Sequence, residues 1–254
     1  LATETPTPVQ AAPTETPTSD PSPTATWTPA WALPTHTPTA AVTTPVASPT
    51  LTPTDTVSPM PPPTPVARTS ERVRNGDFEA GFSADGVAVG WERFSNGGAV
   101  VTFGDENAPP AVYDVYHAQR IRIEGASQPD RYAGIYQVVD VVPGASYRLS
   151  VHGLIRSALG DVARSQFGYR MQLGLDETGG RDWRRVVDWI ELPFDEQPFD
   201  AAEFSYGGYE QSVAAVGPRL TIFIRAWHKW ADPARADYAI DGVSLVGPTP
   251  GGSP

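Results

Sequence analysis

Cysteine is missing from all 254 residues. Its absence removes a disulfide framework, a thiol nucleophile and a thiolate zinc site. Lysine is almost missing: Lys229 stands alone among 18 basic residues, and the rest are arginine. No apolar run reaches the ~18–20 residues that a membrane span needs. No stretch of ten or more residues carries a convincing helical apolar repeat. Catalytic signatures are absent too: there is no G-x-S-x-G elbow, no H-E-x-x-H and no phosphate-binding loop. His117, His152 and His228 are too scattered for a metal triad. Glycoside hydrolysis needs two carboxylates about 5–10 Å apart, and no motif singles out such a pair. The chain therefore reads as no enzyme. Positive charge is scarce against a formal net charge of −11. Nucleic-acid binding rests on Lys and Arg neutralising phosphates, so nucleic acids are disfavoured as partners. Neutral sugars, cations and basic partners stay open.

Threonine and proline are abundant, and they are concentrated. Up to Ser70 nearly every second residue is one or the other, as in Thr3-Glu4-Thr5-Pro6-Thr7-Pro8. Such a segment cannot bury enough apolar surface to offset the entropy of ordering it. Residues 1–70 are therefore expected to form a disordered stalk of polyproline II character. Their composition is also that of O-glycosylated stalks. Trp27 and Trp31 are unusual there; they read either as incidental or as a short recognition segment. Residues 248–254 return to linker composition. One folded unit is expected over 71–247, large enough to bury a core without staples. Spacers on both sides suit a module of a secreted or cell-surface protein. The chain begins at Leu1, and a leader or anchor removed before it is expected. The unit is expected to be monomeric.

Inside the unit the signals are those of strands. Gln119–Gly125 alternates polar and apolar residues, and Ser146–Ile155 sets Tyr147, Leu149 and Val151 against Arg148, Ser150 and His152. Tyr169–Leu175 and Arg219–Ala226 alternate in the same way. Period two means half-buried strands. Turn clusters such as Pro143-Gly144, Thr178-Gly179-Gly180 and Gly217-Pro218 separate them. The fold class is all-β. Long connections favour a jelly-roll sandwich of two antiparallel sheets.

Three stretches, in order, carry a family resemblance. Val73-Arg74-Asn75-Gly76-Asp77-Phe78-Glu79 is followed by Gly90-Trp91; Gly134-Ile135-Tyr136-Gln137 is followed by Val142-Pro143-Gly144 and Tyr147; Tyr238-Ala239-Ile240-Asp241-Gly242-Val243-Ser244-Leu245 closes the unit. Together they resemble the CenC-type carbohydrate-binding modules of the galactose-binding-like jelly-roll superfamily. The resemblance implies a non-catalytic module with adjacent termini that binds a polysaccharide or other glycan. It also implies a structural Ca²⁺ where the first and last strands meet, held by Glu79 and Asp241 with help from Asp77. Both carboxylates read equally as ordinary turn residues. Residues 176–230 match the family pattern less well.

A ligand face follows from the alternation. If Leu149, Met171 and Ile222 point into the core, then Arg148, Ser150, His152, Arg170, Gln172 and Arg225 are expected to share the opposite face. Tyr136 or Gln137 joins them according to register. Trp183, Trp189, Trp227 and Trp230 lie nearby in sequence at strand ends or loops, and Trp183, Trp227 and Trp230 are the expected stacking platforms. Trp91 is assigned to the core. The acidic Asp176–Asp182 loop reads as a solvated hairpin turn or a second cation site. Three roles compete: a glycan-binding module, a structural or adhesive surface domain with no sugar site, and an auxiliary domain of a polysaccharide-degrading enzyme.

Overall fold

The computed structural model describes residues 69–107 and 111–250. The stalk expected over residues 1–70, apart from its last two residues, lies outside the described part, as do Trp27 and Trp31. In chain order the strands are β1 (Thr69–Glu71), β2 (Glu92–Ser95), β3 (Val100–Glu106), β4 (Ala118–Glu124), β5 (Arg131–Asp140) and β6 (Ser146–Ser157). A short helix α1 (Val162–Ser165) precedes β7 (Tyr169–Asp176), and a 3-10 turn (Trp183–Arg185) precedes β8 (Trp189–Glu191). Then come β9 (Glu196–Pro198), β10 (Gly207–Ala214), β11 (Arg219–His228) and β12 (Ala236–Pro248).

The strands form a jelly-roll sandwich of two sheets. The larger runs β10-β6-β12-β4-β3, with β1 added on β12 and β9 on β6; the smaller runs β2-β5-β11-β7-β8. Pairing is antiparallel throughout except for β9 on β6, which is parallel. The paired termini reach slightly past the expected limits of the folded unit, since Thr69 faces Pro248 across β1 and β12.

Alternation explains why these segments become strands. On β11, Leu220, Ile222, Ile224 and Ala226 enter the core between the sheets. Thr221, Phe223, Arg225 and Trp227 therefore point away from it. Strand β6 contributes Tyr147, Leu149, Val151 and Ile155 to the same core, and β7 contributes Tyr169, Met171 and Leu173. Full burial of each large side chain stabilises by roughly 1.5–3 kcal/mol.

Two buried glutamines fasten the segment between β1 and β2 to the sandwich. Gln119 accepts from the Ala88 amide at 2.8 Å and donates to the carbonyls of Gly86, Gly104 and Arg120 at 3.0–3.2 Å. Gln137 accepts from the Arg74 amide and donates to the Arg74 and Gly90 carbonyls. Trp91 is buried as expected and donates its indole N–H to the Asn75 carbonyl at 2.9 Å. Replacing Gln119 by Leu strands a buried amide and carbonyls without partners. Gln119→Leu is expected to cost about 2–3 kcal/mol, read as a lower urea midpoint at unchanged slope.

Candidate functional site

Two outer faces exist, and the expected ligand residues are divided between them. Arg148 and His152 lie on β6 of the larger sheet, whereas Arg170, Gln172 and Arg225 lie on β7 and β11 of the smaller one. The expectation of one shared face is thus corrected. Alternation tells which residues share a side of their own strand; it does not tell which sheet the strand joins. Gln137 is corrected as well. Its side chain is occupied by Arg74 and Gly90, and register places Tyr136 on the outer side instead.

On the larger sheet Arg148 is exposed and pairs with Glu210. His152 stacks flat on Tyr113, with ring centroids 3.9 Å apart at 12°. Its Nδ1 is buried without a partner. His152, Tyr113, Asp77 and Asp114 share a cleft beside Gly242.

The smaller sheet carries the denser cluster. Phe223, Tyr136 and Val186 are buried there, with Phe94, Val138, Trp183 and Trp189 packed against them. Glycines make room for the rings. Phe94 faces Gly134 across β2 and β5, and Trp189 faces Gly174 across β8 and β7. A Cβ on Gly174 would stand 2.9 Å from Trp189 Cζ3, and one on Gly134 would collide with Phe94. Both rings can therefore lie down on the backbone. The segment after β7 folds back so that Trp183 stacks on Phe94 at 5.3 Å.

Arg225 stands at the centre of this face. Its guanidinium carbon lies 3.9 Å from the Tyr132 ring centroid and 3.6 Å from that of Trp189. Its Nε donates to Gln172 Oε1 at 2.7 Å. Burial pulls its pKa down to about 10, so it stays cationic at neutral pH. Beyond Tyr132 the stack continues through Trp227, 6.0 Å away at 26°. Trp227 donates its indole N–H to Asp130 at 3.0 Å. Lys229 Nζ lies 5.2 Å from the Trp227 ring and 4.9 Å from the Trp230 ring. Trp230 is exposed at the end of the face. Arg170 is buried but fully engaged, donating to Glu191 and Asp195 and to the Leu192 carbonyl. Five expected residues thus meet on this face: Trp183, Trp227, Arg170, Gln172 and Arg225, with Trp230 at its edge. Tyr132, Trp189 and Phe94 complete it. For Phe94 and Trp189 the signal in the sequence was the pair of glycines, Gly134 and Gly174, inside otherwise regular strands.

The calcium expectation meets a different arrangement. Asp241 Oδ2 accepts from the Tyr113 and Asp114 amides at 3.0 Å, and Oδ1 accepts from the Gly242 amide at 2.7 Å. Glu79 Oε1 accepts from the Tyr116 and His117 amides at 2.8 Å. Asp77 Oδ1 takes only a long bond, 3.4 Å, from the Glu79 amide. The two carboxylates hold one loop through its N–H groups. Ca²⁺ needs six to eight oxygens, and here the bonds to Asp241 and to Glu79 Oε1 come from backbone N–H groups instead. Among the described residues no group of three acidic, His or Cys side chains is placed to hold a metal. These residues do not fit the cation, and that includes the Asp176–Asp182 loop. There Asp176 accepts from Thr178 and turns the chain.

No family model matches the chain, and no curated protein does. Similar solved structures include TmCBM61, a carbohydrate-binding module in complex with β-1,4-galactotriose. Identity to it is 14%, with 69% of this chain and 97% of that one covered at a TM-score of 0.41. The family 16 carbohydrate-binding module 2 gives 19% identity, coverage of 68% and 98%, and a TM-score of 0.38. A cleaved adhesin domain of Lys-gingipain from Porphyromonas gingivalis gives 12%, 72%, 99% and 0.40. Among the described residues no helix is long and apolar enough to cross a membrane.

Two outcomes follow from the carboxylates. Millimolar Ca²⁺ or EDTA is expected to move the thermal midpoint by less than about 1 °C, because a bound ion would raise it by mass action. Burial pushes Asp241 up, to about 6, although three amides favour its ionised form. A carboxyl whose folded pKa lies above its ordinary 3.8 binds its proton more tightly in the folded state. Its contribution to stability is complete below that ordinary value and is lost as pH rises through about 6. Denaturation of the wild type against Asp241→Asn is expected to show the wild type losing ground between about pH 4 and pH 7. A gain over that window contradicts the assignment.

Proposed function

We propose that this chain is a non-catalytic glycan-binding module of a secreted or cell-surface protein, and that its ligand lies across the outer face of the smaller sheet. One observation carries the reading: a row of flat groups, Trp227, Tyr132, Arg225 and Trp189, stands side by side on that face. Sugars present apolar C–H faces and a fringe of hydroxyls. Exposed Trp230, at the end of the row, offers a ring to the first, and planar polar side chains such as Gln172 and Arg225 bond the second. A few placed polar groups among aromatics is the usual make-up of a small-ligand site.

The rigidity of the row favours binding. Tyr132 and Trp189 fix the guanidinium between them, Gln172 fixes its Nε, and Trp189 rests on the Gly174 backbone. Little rotamer freedom is left to lose when a ligand arrives. The carboxylates beside the row, Asp130, Glu191 and Glu92, are each held by a neighbouring donor, and the reading is binding without bond cleavage. Linked through a stalk to a larger protein, such a module raises the local concentration of its ligand.

The test is affinity electrophoresis of the full chain through gels containing a panel of neutral and acidic soluble polysaccharides. At least one is expected to retard it. Tyr132→Ala and Trp189→Ala each remove one side of the seat that fixes Arg225 and should each weaken that retardation about tenfold, ~1.4 kcal/mol. Arg148→Ala, on the other sheet, should leave it unchanged. Equal binding by all three variants places the ligand elsewhere; no retardation in any gel favours the adhesive-domain reading.

A further inference from the structure

Arg225 and Arg170 are equally buried, each 7% exposed, yet they are treated differently. Arg170 meets two carboxylates, Glu191 and Asp195. The other well-buried guanidinium, Arg156, meets Glu106 and Asp237. Arg225 meets none. Its only hydrogen bond among the described residues leaves from Nε to Gln172, a neutral partner. Nη1 and Nη2 have no partner, and neither is among the fully enclosed unpartnered atoms, so both still reach solvent. Aromatic rings cover the two flat sides of the guanidinium, so its open edge is the one that bears these terminal nitrogens.

A cation withdrawn from water without a counter-charge is unfavourable. Cation–π contact with Tyr132 and Trp189 offsets part of that cost. What the edge lacks is an acceptor with two oxygens in one plane, the shape that a guanidinium fork bonds in parallel. A second unpaired cation lies just beyond the end of β11. Lys229 forms no ion pair among the described residues and is held over Trp227 and Trp230. The acids at the rim are already engaged: Glu191 by Arg170, Glu92 by Arg181, and Asp130 by the Trp227 indole. The protein as a whole is acidic, so a polyanion approaches against its field. Recognition has to be local, and these two cations supply it.

We infer that the face selects uronate-bearing polysaccharide, with a sugar carboxylate docked on Nη1 and Nη2 of Arg225 and with Lys229 meeting a further carboxylate along the chain. This rests on the glycan-binding reading and names the chemical class of its ligand. The experiment compares the full chain on polygalacturonate, alginate and hyaluronate with the carboxyl-reduced form of each, and with a sulfated neutral galactan. At least one acidic form is expected to bind at least tenfold more tightly than its reduced form and than the sulfated galactan. Arg225→Lys keeps the charge and loses the fork; it should bind that acidic polymer at least tenfold more weakly while its thermal midpoint confirms folding. Equal binding of a polymer and its reduced form overturns the carboxylate assignment and leaves the glycan reading standing. Equal binding of the sulfated galactan overturns it in favour of charge alone. Retention by no polysaccharide of any kind overturns both.

Discussion

Strand β11 has one register, and most of the molecule follows from it. It lies between β5 and β7 at the centre of the smaller sheet, with Leu220, Ile222, Ile224 and Ala226 in the core. A slip of one residue would exchange the two sides. It would turn Arg225 into the sandwich and leave a row of aliphatic side chains in water. The energy that forbids the slip is the burial of that row, and the same energy holds Phe223, Arg225 and Trp227 outward. Core packing and the candidate site are therefore two sides of one alternation.

The outer side did not remain a plain solvated sheet. Gly134 and Gly174 open seats for Phe94 and Trp189, the 3-10 turn brings Trp183 over Phe94, and Phe223 disappears beneath them. This second small core stiffens the face, and its Trp189 encloses Arg225 together with Tyr132. The larger sheet solves its own outer face differently, with ion pairs: Asp237 is fully buried and receives Arg122 and Arg235. Its charges are internally matched, whereas the charge of Arg225 is not. That contrast, more than the number of aromatic rings, separates the two faces.

Fold class was legible because period-two alternation and Gly/Pro turns report local geometry directly. Half of the candidate site was legible for the same reason: Arg170, Gln172 and Arg225 alternate against core residues that any reader can pick out. Sheet membership was not legible. Arg148 and His152 alternate just as well, but their strand pairs with β10 and β12, and that pairing is a long-range choice with no local mark. Gln137 misled because a polar residue at an inward position looks like an outward one until its backbone partners are known. The resemblance implied that Glu79 and Asp241 hold a Ca²⁺ between the first and last strands; in the structure both bond the N–H groups of one loop, at residues 113–117. Side-chain identity carries no information about which way a loop's peptide groups turn.

The account comes down to whether a ligand touches the Tyr132–Arg225–Trp189 row. Side-chain N–H signals in a ¹⁵N-labelled sample, followed as fragments of a retained polysaccharide are added, report this most directly. The Arg225 Nε–H and the Trp189 and Trp227 indole signals should move together and saturate at one affinity, while Trp91 and the β6 amides around Arg148 and His152 stay still. Shifts confined to β6 and residues 111–117, with the Arg225 and Trp189 signals unmoved, would contradict it.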